Sequence, residues 1–179
     1  MRNRYYLDGN YAYIAIETKD GEIQCTVIDA KFVEPLNCVD GLLSIHKDGY
    51  VYVSHKNGDG KIKTLALQRF ITNPVKNQVV DHINHNKLDN TLVNLRCVSL
   101  AINNQNRLMC NSNSKSKRLN VHWNALCNKW EVRLCINGKR KSFGFYENKN
   151  KATKKAKKLR AIYYPGSQEY LYMPRAEER

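Results

Sequence analysis

The chain has 179 residues, room for one ordinary domain or two small ones with thin cores. Thirty Lys/Arg against sixteen Asp/Glu give a formal charge of +14, and no apolar run is long enough to span a bilayer or to form the core of a secretory leader. Together with six cysteines that show no Cys-x-x-Cys pair and no Cys/His cluster at zinc spacing, this excludes a membrane-spanning or disulfide-stapled class. Free thiols in a cytoplasmic setting are expected, with no membrane partner and no structural zinc.

Residues 1–62 read as a β-rich region. Tyr11 to Glu17 and Ile23 to Ile28 flank a Lys19-Asp20-Gly21 turn, and Tyr50 to Ser54 and Lys61 to Leu67 flank Gly58-Asp59-Gly60, so two hairpins are predicted. They would either widen the sheet of the next region or add a binding contact.

Residues 63–111 hold the densest chemistry. Gln78-Val79-Val80-Asp81 reads as a short strand ending at His82, and Leu95-Arg96-Cys97-Val98 as its return. Ser99 is a suitable N-cap for a helix from Leu100 toward Arg107, which would place Asn103 about one turn in. Asn94 falls in the loop before the return strand, a place where asparagine holds backbone. His85 reads as a solvated turn residue, and His46, His55 and His122 have no acidic or histidine partner at ligand spacing. A carboxylate, an imidazole and a distant carboxamide suit phosphodiester hydrolysis. A neutral histidine can take a proton from water, and a hard divalent cation needs only one or two protein oxygens when phosphate completes its shell.

The stretch Asn111-Ser112-Asn113-Ser114-Lys115-Ser116 reads as a polar linker that buries nothing. Beyond it the charge rises sharply. Residues 111–160 hold fifteen Lys/Arg and two acids, a net of +13, whereas the remainder nets +1. A basic holder attached to a neutral unit is the electrostatic pattern of nucleic-acid binding.

Residues 112–179 are predicted as a three-stranded antiparallel sheet packed on one helix. Leu119 to Trp123 is the first strand, and Lys129 to Ile136 alternates up to the hairpin signal Asn137-Gly138. Pairing across that turn sets Arg133 opposite Ser142, Val132 opposite Phe143 and Trp130 opposite Phe145. This gathers Trp130, Val132, Leu134, Phe143 and Phe145 on an apolar side and leaves Arg133, Arg140, Ser142 and Glu131 on the other. Ala152, Ala156, Leu159 and Tyr163 recur at helical spacing in a helix from Asn148, which should cover the apolar side before Pro165-Gly166 ends it.

Asp81-His82-Ile83-Asn84, Asn86, Leu88-Asp89-Asn90 and Asn94-Leu95-Arg96, followed by Asn103, resemble the HNH nuclease motif of phage homing and intron-encoded enzymes. The resemblance implies a ββα-metal unit in which His82 is the general base, Asp81 and Asn103 bind Mg2+ (with Mn2+ as a substitute), and Asn94 fixes the loop. Two positions depart from the family pattern: Thr91 stands where an arginine is usual, and Gln68-Arg69 where a His-Arg pair in an apolar strand is usual. The assignment requires Asp81 and Asn103 on one side of the molecule and His82 open to solvent.

Ser116 to Trp123, Lys129-Trp130, Arg133, Asn137-Gly138-Lys139, Phe143-Gly144-Phe145 and the Ala-containing helix are similar to the APETALA-two/ERF DNA-binding domain. That family lays its sheet in the major groove, which implies double-stranded DNA as partner and Arg118, Trp123, Arg133, Arg140 and Lys141 as contacts. The expectation is an α+β homing endonuclease, a monomer or homodimer, that nicks one strand. The rival expectation is a catalytically impaired DNA-binding regulator, and a third is an RNA-binding protein.

Overall fold

Alternating burial along Tyr11–Glu17 turns Ala12, Ile14 and Ile16 inward, and this strand, β2, is the centre of the first sheet. β1 (Tyr5–Asp8) and β3 (Ile23–Asp29) flank it in an antiparallel sheet of order β1-β2-β3. The computed structural model describes residues 1–56 and 58–172, an α+β chain in two compact units, Met1–Ser99 and the stretch from Leu100 onward.

In the first unit a short helix, α1 (Val33–Cys38), leads to a second antiparallel sheet of β4 (Leu42–Ile45), β5 (Val51–Lys56) and β6 (Ile62–Ala66). Both predicted hairpins are present, each with one additional strand. Gln68-Arg69, expected in a strand, instead lies in helix α2 (Leu67–Thr72), because Leu67, Gln68 and Ile71 form a buried helical stripe. The helix ends at Asn73, whose left-handed backbone (φ +42°) lets its N–H bond the Arg69 carbonyl.

β7 (Gln78–His82) then pairs antiparallel with β8 (Leu95–Ser99), setting Asp81 opposite Arg96 and His82 opposite Leu95. The N-terminal hairpins do not widen this two-stranded sheet. They join it through a shared core: Leu95, Val80, Leu88 and Leu92 pack with Ile14, Ile28, Leu36, Val53 and Leu67. A parallel bridge between Val27 and Asp89 adds a backbone tie.

The second unit opens with α3 (Leu100–Asn103), shorter than the predicted helix to Arg107, and a 3-10 turn over Asn104–Asn106 follows. Three asparagines in four residues compete with the helical backbone for hydrogen bonds, which explains the early stop. The polar stretch at 111–116 is not wholly solvated as expected. Ser116 is only 1% exposed, its hydroxyl bonding both the N–H and the carbonyl of Arg118.

β9 (Val121–Asn124), β10 (Lys129–Ile136) and β11 (Lys139–Tyr146) form a sheet of order β11-β10-β9. Asn137 and Gly138 at φ +50° and +76° make the expected two-residue turn, and Ile136–Lys139 through Arg133–Ser142 pair as predicted. Beyond that the register differs. Gly144 at φ +107° adds a residue to β11, so Phe145 lies opposite Glu131, and Tyr146 lies opposite Trp130. Phe145 therefore leaves the apolar side and is half exposed, and Tyr146 takes its place against the core.

α4 (Lys149–Tyr163) covers the apolar side, with Ala152, Ala156 and Leu159 on Val121, Val132 and Leu134. Asn148 caps it, accepting from the N–H groups of Asn150 and Lys151. The expected core tyrosine shifts by one: Tyr163 is exposed, while Tyr164, past the helix end, is buried and its hydroxyl accepts from the N–H of Cys135 at 2.9 Å. A last helix, α5 (Gln168–Leu171), starts at Ser167.

Candidate active site and nucleic-acid interface

The loop between β7 and β8 is held by its own asparagines. Asn94 accepts from the N–H of Asn84 at 2.9 Å and donates to the Asp89 carbonyl at 2.7 Å, while the Asn94 carbonyl accepts from Ile83. Asn84 in turn donates to Asp89 at 2.8 Å and accepts from the N–H of Asn86. Thr91, at the usual arginine position, is buried and its hydroxyl donates to Asp89 at 2.7 Å, so this departure is absorbed into the loop.

His82 ends β7 with its Nε2 3.2 Å from Asn90 Oδ1. Both hydrogens of the Asn90 amide are committed elsewhere, to Thr26 Oγ1 at 3.0 Å and to the Lys87 carbonyl at 3.2 Å. The network fixes the amide orientation, so the Asn90 oxygen faces the ring, and Nε2 must carry the proton. In the neutral imidazole the lone pair is then on Nδ1. Thr26, fully buried in β3, donates onward to the Leu88 carbonyl at 2.7 Å. The N-terminal sheet thus anchors the residue that orients His82.

Burial holds the His82 pKa below the ordinary histidine value, and the nearby Lys87 cation acts in the same direction, whereas Asn90, Asp81 and Asp89 oppose it. The Tyr50 ring lies 5.7 Å from the imidazole, and Lys87 Nζ sits 4.3 Å above that tyrosine while donating to the Asp48 carbonyl at 2.5 Å. The β4–β5 turn is therefore folded onto the loop that follows His82.

Asp81 is paired with Arg96 across the ladder, with Nε and Nη2 at 2.8 and 2.6 Å from the same Oδ2. Its hard carboxylate fits an oxygen-preferring divalent cation, although a cation there would share Asp81 with the guanidinium. Among the described residues, no group of three or more His, Cys, Asp or Glu side chains is gathered as a metal cage.

The structure brings Asp81, His82 and Asn94 together in the first unit. Asn103 is the last residue of α3 and belongs to the second. The expectation of a solvent-open imidazole is not met, since His82 is 4% and Asp81 8% exposed. His85 also differs from its reading as a solvated residue: its backbone is left-handed (φ +63°), and its buried Nε2 has no hydrogen-bond partner among the described residues. Gln68 Oε1 is likewise buried and unpartnered.

On the C-terminal sheet, Arg133 and Arg140 share the open face with Ser142 and Phe145. His122, expected to be a structural or surface residue, lies opposite Glu131 on that face, and its pKa is lowered by burial and by Arg133 and Arg140. Glu131 is 3.8 Å from Arg133. Trp123 and Lys141 fall on the other face: Trp123 meets Trp130 edge-on at 4.8 Å, and Lys141 pairs with Leu134 and reaches over Phe143. Arg118 precedes the sheet and is exposed.

The motif reading gave no role to Asn90, which it contained, nor to Thr26, Tyr50, Lys87 or His122. A threonine at an inward position of an apolar strand, as Thr26 is between Ile28 and Gln24, was the available signal for the first of these contacts. Tyr50 carried none, since its place beside His82 depends on long-range packing.

No curated protein and no solved structure matches the chain. Residues 73–105, from the cap of α2 through β7, the asparagine loop, β8 and α3, match the family model of HNH endonucleases, which supports an HNH nuclease unit in this part of the chain.

Proposed function

We propose that this protein is a metal-dependent DNA endonuclease of the homing type that nicks one strand, with the C-terminal sheet as its DNA holder. His82 Nδ1 takes the proton of the attacking water, and Nε2–H stays on Asn90 while the ring becomes an imidazolium. Asp81 would hold Mg2+, which would supply positive charge at the phosphate and departing oxygen. Asn94 keeps the loop in shape. Arg133, Arg140 and His122 face the duplex, with Arg118 beside them, and the lysines of α4 supply phosphate contacts. His82 is 4% exposed, short of the solvent access that the base assignment requires, so this reading adds an opening step that admits the scissile phosphate.

The observation that carries this reading is the Thr26–Asn90–His82 chain, which dedicates a buried network to one tautomer of one histidine. The test is supercoiled plasmid incubated with purified protein and Mg2+: nicked circles that vanish with chelator and with His82→Ala are expected. Equal nicking by His82→Ala would overturn the base assignment.

The burial of His82 and the Arg96 hold on Asp81 favour one second reading, a DNA-binding regulator with a silent nuclease unit. Intact plasmid, bound with Mg2+ present, would establish it.

A further inference from the structure

Two adjoining hollows in the second unit, about 530 and 310 Å³, share Met109, Cys110, Asn111, Arg118 and Leu119 and so form one groove. One end lies against α4 at Thr153 and Lys157, and the other reaches His122 on the open face of the sheet. Its walls hold five cations, Arg107, Lys117, Arg118, Lys157 and Arg160, and no carboxylate. Among the described residues, Arg160 alone of these is ion-paired, to Glu169. Leu108 and Met109, 61% and 81% exposed, give apolar surface beside those charges.

Cations spaced along a groove with apolar walls match a polymer that repeats an anion and a flat apolar ring. The larger hollow is of the size that encloses a small ligand, with volume for about one or two nucleotides and far too little for a duplex. A strand that is unpaired can bring its bases to apolar side chains while its phosphates meet Lys and Arg. Continuity with the sheet face decides the direction of approach. We propose that this groove takes an unpaired DNA strand leaving the duplex held on the open face, with Lys117, Arg118 and Lys157 on its phosphates and Leu108, Met109 and Leu119 against its bases. This rests on the reading of the open face as the duplex site.

The experiment compares the full chain, in chelator, on a blunt DNA duplex and on the same duplex with a short single-stranded DNA tail, by fluorescence anisotropy. The tailed duplex is expected to bind about tenfold tighter. Lys117→Gln with Lys157→Gln, both exposed, should abolish the difference, any loss of affinity falling equally on blunt and tailed duplex, and Met109→Glu should reduce the difference. Equal affinity of the two duplexes for the unaltered chain, a tail preference that survives the double substitution, or a larger gain from an RNA tail than from a DNA tail would overturn the proposal. If the chain ignores blunt duplex but binds an isolated DNA strand in a manner dependent on Lys117 and Lys157, the groove stands, and the duplex reading of the sheet falls.

Discussion

Asn90 presents its amide oxygen to His82 Nε2 at 3.2 Å, and the same amide reaches Thr26 Oγ1 at 3.0 Å, sixty-four residues away in sequence. Two consequences follow for pH dependence. A buried ring with a lowered pKa stays neutral to more acid pH, so the acid limb of the cleavage rate should fall below the ordinary histidine value of 6.5. For stability the sign is that of a depressed group. The unfolded chain takes up the proton first, so the His82 contribution is present above pH 6.5 and is lost as pH falls through the folded pKa. Plasmid-nicking rates and urea midpoints across pH 5 to about 8 test both. An acid limb above 6.5 would contradict the neutral, buried base.

Lys87 provides a sharper test because it acts on His82 without touching it. Its ammonium lies over Tyr50 at 4.3 Å, and Tyr50 lies against the imidazole, so the cation is held near a ring whose protonation it opposes. Lys87→Met should move the acid limb of cleavage to higher pH, and Lys87→Arg should leave it close to the original position. A merely structural role for Lys87 would lower activity at every pH alike and leave the limb in place.

Asn94 tests the loop itself. It is 5% exposed and satisfies the Asn84 N–H and the Asp89 carbonyl at once, bridging the two ends of the turn. Asn94→Ala leaves two backbone groups unsatisfied and should cost about 2 kcal/mol of stability, read as a lower urea midpoint with an unchanged slope. Asn94→Asp keeps the acceptor for Asn84 but turns an oxygen toward the Asp89 carbonyl, so it should rescue little.

Much of this arrangement could be read in the residues, and what could not has a common cause. Strand alternation and the Asn137-Gly138 turn located the C-terminal hairpin, because period-two burial and positive φ are local properties. The bulge at Gly144 escaped because a glycine in a strand does not announce which way the register will shift, and the shift moved Phe145 to the other face. Asn94 was legible as a backbone-holding residue from turn chemistry alone. The Tyr50–His82 contact and the Thr26 anchor were not, since both depend on sheets that are distant in sequence packing into one core. Burial of His82 escaped for the same reason.

Arg96 separates the two readings of Asp81. Asp81 is buried and Arg96 is 16% exposed, with the guanidinium at 2.6 and 2.8 Å, and removing the Arg96 partner strands the buried carboxylate at a cost of up to about 3 kcal/mol. Arg96→Met should therefore lower the thermal midpoint substantially. If Asp81 is a metal ligand, Mg2+ can take over the neutralising role, and the variant should be stabilised by added Mg2+ more than the unaltered chain is, since a ligand that binds only the folded state adds stability that grows with the logarithm of one plus its concentration over its Kd. The double variant Arg96→Met with Asp81→Asn removes the stranded charge and should recover much of the lost stability while losing the Mg2+ response. Thermal melts of the three proteins with Mg2+ and with chelator decide the matter: an Arg96→Met protein that melts at the same temperature in both conditions would leave Asp81 as a structural partner of Arg96 and nothing more.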